Sequence, residues 1–169
     1  MNVLFFSALL IFIGYLGTII AYLLNWRKVP EFDPSYTAED YGITVIVPFR
    51  NEESCLQELL NTLEQQVYPA GKIEILLVDD HSEDLSVLQA QLFCEVHPGF
   101  KYLLSAGSGK KAAIRTGVKY AAHEFILTTD ADCIIGPLWA KTFSVFFKES
   151  GADLVLGLVD ITTDRKFCS

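Results

Sequence analysis

Ile43-Thr-Val-Ile-Val47 is a short, unbroken run dominated by β-branched residues, and it leads directly into the polar Pro48-Phe-Arg-Asn-Glu-Glu53. A run of that kind suits a strand covered on both faces of a parallel sheet. Leu56, Leu59, Leu60 and Leu63 then fall at helical spacing. The same unit recurs. Ile73 to Val78 is followed by a helix carrying Leu85, Leu88 and Leu92, and Tyr102 to Leu104 by a helix with Ala113, Ile114, Gly117, Val118 and Ala121. Phe125 to Thr129 precedes Gly136 and Pro137, the latter suited to a first helical turn, and then Trp139, Phe143, Phe146 and Phe147 on one helical face. Leu154 to Val159 is expected to start a further strand. Strands alternating with helices predict an α/β fold with a mostly parallel sheet and flanking helices.

Upstream the composition changes. Residues 1–26 contain no charged side chain, and Val3 to Leu24 is dominated by Leu, Ile, Phe and Val. About 22 helical residues span roughly 33 Å, enough for a hydrocarbon core of ~30 Å. A secretory signal would instead show a basic start, a shorter apolar run and a small-residue cleavage site. Residues 1–26 are therefore expected to form a single transmembrane helix. Arg27 and Lys28 follow it, whereas its other flank has no basic side chain, so the positive-inside bias places residues 43–169 in the cytoplasm. Residues 27–42, with Pro30 and Pro34 and no apolar period, read as a linker.

Charge and cysteines narrow the function. The net charge of −8 argues against nucleic acid as a partner, because backbone phosphates need a basic face. Cys55, Cys94, Cys133 and Cys168 are widely spaced without a C-x-x-C pair, a pattern expected of reduced thiols and consistent with a cytoplasmic domain.

Open parallel sheets bind ligands outside the carboxyl ends of their strands, so the residues after each strand carry the chemistry. Asp130 and Asp132 stand two apart where a strand runs out, and in an extended chain both would project to one side. Their hard oxygens suit Mg²⁺ or Mn²⁺, with water and a diphosphate completing the coordination. As an isolated pair they would equally serve as solvated or helix-capping aspartates. Asp79 and Asp80 end an apolar strand and could accept hydrogen bonds from a base or a ribose; Ser82 is the better candidate to cap the next helix, and His81 reads as a loop residue. Gly107-Ser-Gly-Lys-Lys-Ala112 also fits a degenerate G-x-G-x-x-A dinucleotide fingerprint, although it falls in the third strand-helix unit rather than the first. Lys110 and Lys111, at a helix start, invite an anion or stay solvated.

Taken together, VIVPFRNEE (Val45 to Glu53), ILLVDDHSED (Ile75 to Asp84), GKKAAIRTGV (Gly109 to Val118) and ILTTDADC (Ile126 to Cys133) resemble glycosyltransferase family 2, whose catalytic domains have the GT-A fold. The resemblance implies a donor site for a UDP- or GDP-linked sugar formed by Pro48, Arg50, Asn51, Glu52, Asp79, Asp80, Lys110 and Asp130. It implies Mg²⁺ or Mn²⁺ on Asp132 and Asp130. Arg50 stands where many members have a tyrosine, and a guanidinium can also stack on a base. The function implied is metal-dependent, inverting transfer of a sugar to an acceptor at the membrane. The family's general base would lie beyond Ser169. Residues 43–169 are accordingly expected to be the nucleotide-sugar-binding part of a domain truncated at its C-terminus, inactive alone. Two alternatives stay open at this point: an oxidoreductase using Gly107 to Ala112, and a non-catalytic membrane-anchored binder of nucleotide sugars.

Overall fold

The computed structural model describes residues 2–27 and 41–157. Helix α1 (Asn2–Trp26) and the α/β body are separate compact units. Within α1, Leu4–Trp26 has a mean hydropathy of 2.3 and no buried residue, so it is long and apolar enough to cross a membrane.

The body runs β1 (Ile43–Phe49), α2 (Leu56–Glu64), β2 (Ile73–Asp79), α3 (Ser86–Val96), β3 (Phe100–Leu104), α4 (Lys110–Tyr120), β4 (Phe125–Thr128) and α5 (Trp139–Ser150). Its strands lie in the order β3-β2-β1-β4, and each described pairing is parallel. Every residue of β1 is buried, as its uninterrupted apolar run predicts for a central strand. Side chains alternate across the sheet. Val45, Val47, Ile75 and Leu77 join the leucines of α2 in one core cluster, while Ile46, Leu76 and Val78 meet Ala113 of α4 in another.

The four α2 leucines are all buried, and each contributes roughly 2 kcal/mol of transfer free energy. On α4 the inward face is small, with Ala113, Thr116 and Gly117. A Cβ on Gly117 would come within 2.6 Å of Ile46 Cγ2, so glycine is what lets α4 approach β1.

Several helix faces differ from expectation. Leu85, just before α3, and Leu88 and Leu92 within it are exposed, whereas Ser86, Ala90 and Phe93 face inward. Two stripes of similar period exist there, and the one with small residues packs closer, with Phe93 stacked on His97 and edge-on to Phe100. In α4, Val118 is exposed and Thr116 takes the inward place. In α5, Ala140, Ser144 and Val145 are innermost, with Phe146 outward and Phe147 stacked on Phe125. Helix α5 begins at Trp139, with Pro137 in the turn before it. Residues 154–157 are not a strand; the rest of that expected strand, and residues 28–40 of the expected linker, lie outside the described residues.

At the amino ends of the strands, buried Glu74 accepts hydrogen bonds from Thr44 Oγ1 (3.0 Å), Lys101 Nζ (2.6 Å) and the Ala122 N–H (2.8 Å). Burial pushes its carboxyl up, but these partners together outweigh that and hold it below the usual value. The network ties β1, β2 and β3 to the end of α4. Cys94 and Cys133 are free thiols, the former pushed to about 11 by burial.

Candidate functional site

Chain order places the site. From β1 the chain moves through β2 to β3 on one side, then returns to lay β4 on the other side of β1. Crevices form at such a switch point, outside the carboxyl ends of the strands. A cleft of about 250 Å³ lies there, lined by Pro48, Phe49, Arg50, Glu52, Asp80, Lys110, Asp130, Ala131 and Asp132.

Seven of the residues expected from sequence therefore meet in one cleft: Pro48, Arg50, Glu52, Asp80, Lys110, Asp130 and Asp132. Asn51 and Asp79 are not among its lining residues, and both fasten loops. Asn51, at φ 56°, donates its N–H to Ser82 Oγ and accepts the Glu83 N–H on Oδ1. Asp79 is 2% exposed and accepts from the Ser82 N–H (2.8 Å) and the Tyr102 hydroxyl (3.0 Å). Burial, and then the bond to that carboxylate, push the Tyr102 hydroxyl up to about 12.

Further bonds stitch the loop after β1 to the loop after β2. The Glu53 N–H reaches Asp84 Oδ2, and the Leu85 N–H reaches Glu53 Oε2. Asp84, rather than Ser82, secures the start of α3 by accepting from the Ser86 N–H and hydroxyl. Burial raises the Asp84 carboxyl, yet the Ser86 bonds and backbone N–H groups outweigh it and leave a net lowering. Sequence reasoning missed Asp84 and Tyr102 as supports; the D-x-S spacing of Asp84 and Ser86 was the available signal.

Asp80 is 5% exposed, and both its oxygens accept the Gly109 N–H, at 2.7 and 2.9 Å. Gly109 has φ 93°, a conformation that favours glycine, and directly precedes α4. The helix start thus already faces a carboxylate, which opposes the pyrophosphate cradle that the dinucleotide fingerprint would need. Lys110, next in the chain, reaches across the cleft to Asp130 Oδ1 at 2.6 Å. Arg50 stands 3.9 Å from Asp80 with its guanidinium half-exposed, open to a ligand.

Asp130 and Asp132 come together by a turn and not by strand alternation. β4 ends at Thr128, the Cys133 N–H bonds back to the Asp130 carbonyl at 3.2 Å, and Ala131 is buried between the two aspartates. Glu52 is held above the usual carboxylate range, first by burial and then by the charges of Asp132, Asp84 and Asp130. A field of like charge at a cleft is relieved by a cation. Among the described residues no three His, Cys, Asp or Glu side chains stand close enough to hold a metal alone. The hard oxygens of Asp130 and Asp132 fit Mg²⁺ or Mn²⁺ completed by water and phosphate.

A parallel α/β sheet with a carboxylate-rich cleft at its switch point has the architecture expected of a GT-A domain. Residues 44–167 match the family model described as glycosyl transferase family 2, and the chain belongs to that family. It is 31% identical over 121 residues to glycosyltransferase AglE of Haloferax volcanii, covering 71% of this chain and 40% of the relative. With the poly(ribitol-phosphate) beta-N-acetylglucosaminyltransferase TarS of Staphylococcus aureus it shares 30% identity over 114 residues, 67% of this chain and 20% of that protein. The mannosyltransferase PcManGT from Pyrobaculum calidifontis, solved with GDP-Man and Mn²⁺, superposes with a TM-score of 0.67 at 27% identity, over 79% of this chain and 41% of that one. TarS 1-349 in complex with UDP-GlcNAc gives 0.62 at 31% identity, over 73% and 36%. The chain thus spans well under half the length of these relatives. Membership in a transferase family sets aside the oxidoreductase alternative.

Proposed function

We propose that the cleft binds the nucleotide of a UDP- or GDP-linked sugar together with Mg²⁺ or Mn²⁺, as the donor site of a sugar transfer to an acceptor at a membrane. One observation carries the reading: Arg50, Glu52, Asp80, Lys110, Asp130 and Asp132 converge on a single cleft at the switch point of the sheet. Neighbouring structures carry GDP-Man with Mn²⁺ and UDP-GlcNAc, which supports the same ligand class here.

Arg50 would meet the base face or phosphate, and Lys110 the diphosphate. Asp130 and Asp132 would hold the cation, which when bound would supply positive charge against the negative charge growing on a departing diphosphate. TarS is named a beta-transferase, and a β-linked product from an α-linked sugar nucleotide requires inversion at the anomeric carbon, so we assign inversion to this protein as well. The anomeric signal of the product decides that point, and a retained configuration would sink it. After Asp132 the described carboxylates are Glu149 and Asp153, both exposed near the end of α5 and absent from the cleft lining. Neither of these two faces the cleft, so neither is assigned as the base that would deprotonate an acceptor.

Calorimetric titration with UDP and GDP in Mn²⁺ or Mg²⁺ tests the donor site. Binding of one of them is expected, strongly weakened in chelator; equal affinity with and without metal would remove the cation from the reading, and no binding of either would remove the donor site. Binding without turnover in the longest available protein would favour a non-catalytic binder.

We assign α1 as a membrane span with the body on the cytoplasmic side, on its length and on the basic pair Arg27-Lys28 that follows it. A Glu149→Cys variant is therefore expected to react with an impermeant thiol reagent only in permeabilised cells. Reaction in intact cells would reverse the orientation.

A further inference from the structure

In a chain of net charge −8, helix α4 carries Lys110, Lys111, Arg115 and Lys119 and no acidic residue. Lys111, Arg115 and Lys119 are spaced four apart, so they lie within one side of the helix, and all three are exposed. Val118, also exposed, falls in the same arc. The opposite arc is the small face, Ala113, Thr116 and Gly117, pressed onto the sheet. Among the described residues none of these three cations has a carboxylate partner, whereas Lys101 and Lys110 each do. A helix that balances its charge by i,i+4 pairs would place acids between these bases, and α4 does not.

We propose that this face of α4 is a docking surface for an anionic membrane, with lipid phosphates meeting Lys111, Arg115 and Lys119 and Val118 entering the headgroup layer. Two observations favour lipid over another polyanion. The chain has a helix, Leu4–Trp26, long and apolar enough to hold it at a bilayer, where the local density of headgroups is high. An exposed apolar side chain set among bases also suits an interface with a hydrocarbon layer beneath it.

The direction of α4 gives the docking a consequence. Lys110 at its start lines the cleft, and the chain just past its end, at Ala122, is bonded to Glu74 at the amino ends of the strands. A bilayer along this face would lie parallel to the strands and bring the mouth of the cleft beside the membrane surface. The docking rests on α4 itself and does not require the donor reading.

The test is acylation footprinting of the full chain mixed with vesicles of phosphatidylcholine alone or of phosphatidylcholine with phosphatidylglycerol. Relative to exposed Lys148 on α5, the reactivity of Lys111 and Lys119 is expected to fall at least about threefold with the anionic vesicles and to recover at high salt. Arg115→Glu, on the outer face, should restore reactivity at both lysines while nucleotide binding stays as in the parent chain. Equal reactivity in the two lipids would overturn the proposal, and so would protection by soluble polyglutamate as strong as that by the vesicles. Loss of nucleotide binding in the unvaried chain would sink the donor reading and leave this one standing.

Discussion

Asp132→Asn is expected to weaken nucleoside diphosphate binding in Mn²⁺ or Mg²⁺ by on the order of 10- to 100-fold, and to leave the weak affinity measured in chelator unchanged. Asparagine keeps the shape of the side chain and removes its formal charge, so the turn that carries it should survive. Losses of 10- to 100-fold in metal affinity follow even from changes to residues that only orient a ligand, so removing a charged donor should cost no less. Asp132 lines the cleft, and its charge is among those that raise Glu52. Removing that charge should also let the Glu52 carboxyl relax toward its ordinary value, a shift that carboxyl NMR can follow without any nucleotide. Calorimetry with and without chelator separates the outcomes. An equal loss in both conditions would mean that Asp132 touches the nucleotide itself, and no loss in either would clear it of the site.

The fold was legible wherever one residue type decided one question. The unbroken β-branched run of β1 could only be a covered strand, and the leucines of α2 left a single apolar face. Legibility failed where two faces competed. In α3 the leucines 85, 88 and 92 gave the louder period, but Ser86 and Ala90 gave the closer fit, and packing distance rather than hydrophobicity chose between them. The cleft itself was legible because open parallel sheets form crevices at their strand ends, and Arg50, Glu52, Asp80, Lys110, Asp130 and Asp132 all fall in loops or helix starts at that end.

What the motifs left unsaid was the division of labour within each. Asp79 and Asp80 are neighbours in sequence with opposite side-chain directions, so one anchors Tyr102 and Ser82 while the other faces the start of α4. That split depends on where the third strand and fourth helix lie, a long-range fact no local pattern contains. The turn at Asp130 to Cys133 shows the same limit: two aspartates reach the cleft as strand alternation suggested, but through a backbone reversal around buried Ala131.

Asp80→Ala is expected to lower both stability and nucleotide affinity, the first by about 1–3 kcal/mol and the second by roughly tenfold or more. The alanine leaves the Gly109 N–H without the carboxylate that both Asp80 oxygens now supply, at a position only 5% exposed. An orphaned donor there costs its desolvation, and the positive-φ turn at Gly109 loses the contact that fixes it. Lys110 follows Gly109 directly, so its reach to Asp130 across the cleft loosens with the turn. Asp80→Asn retains one acceptor oxygen for Gly109 and should recover most of the stability, though without the negative charge beside Arg50. Denaturant unfolding and calorimetry on the two variants decide the role of Asp80. Parallel losses in alanine, with asparagine intermediate in both, mark a residue that acts through α4; full stability with binding abolished in both would mark a direct contact to the nucleotide, and an alanine variant unchanged in either measurement would show that the start of α4 is held by something else.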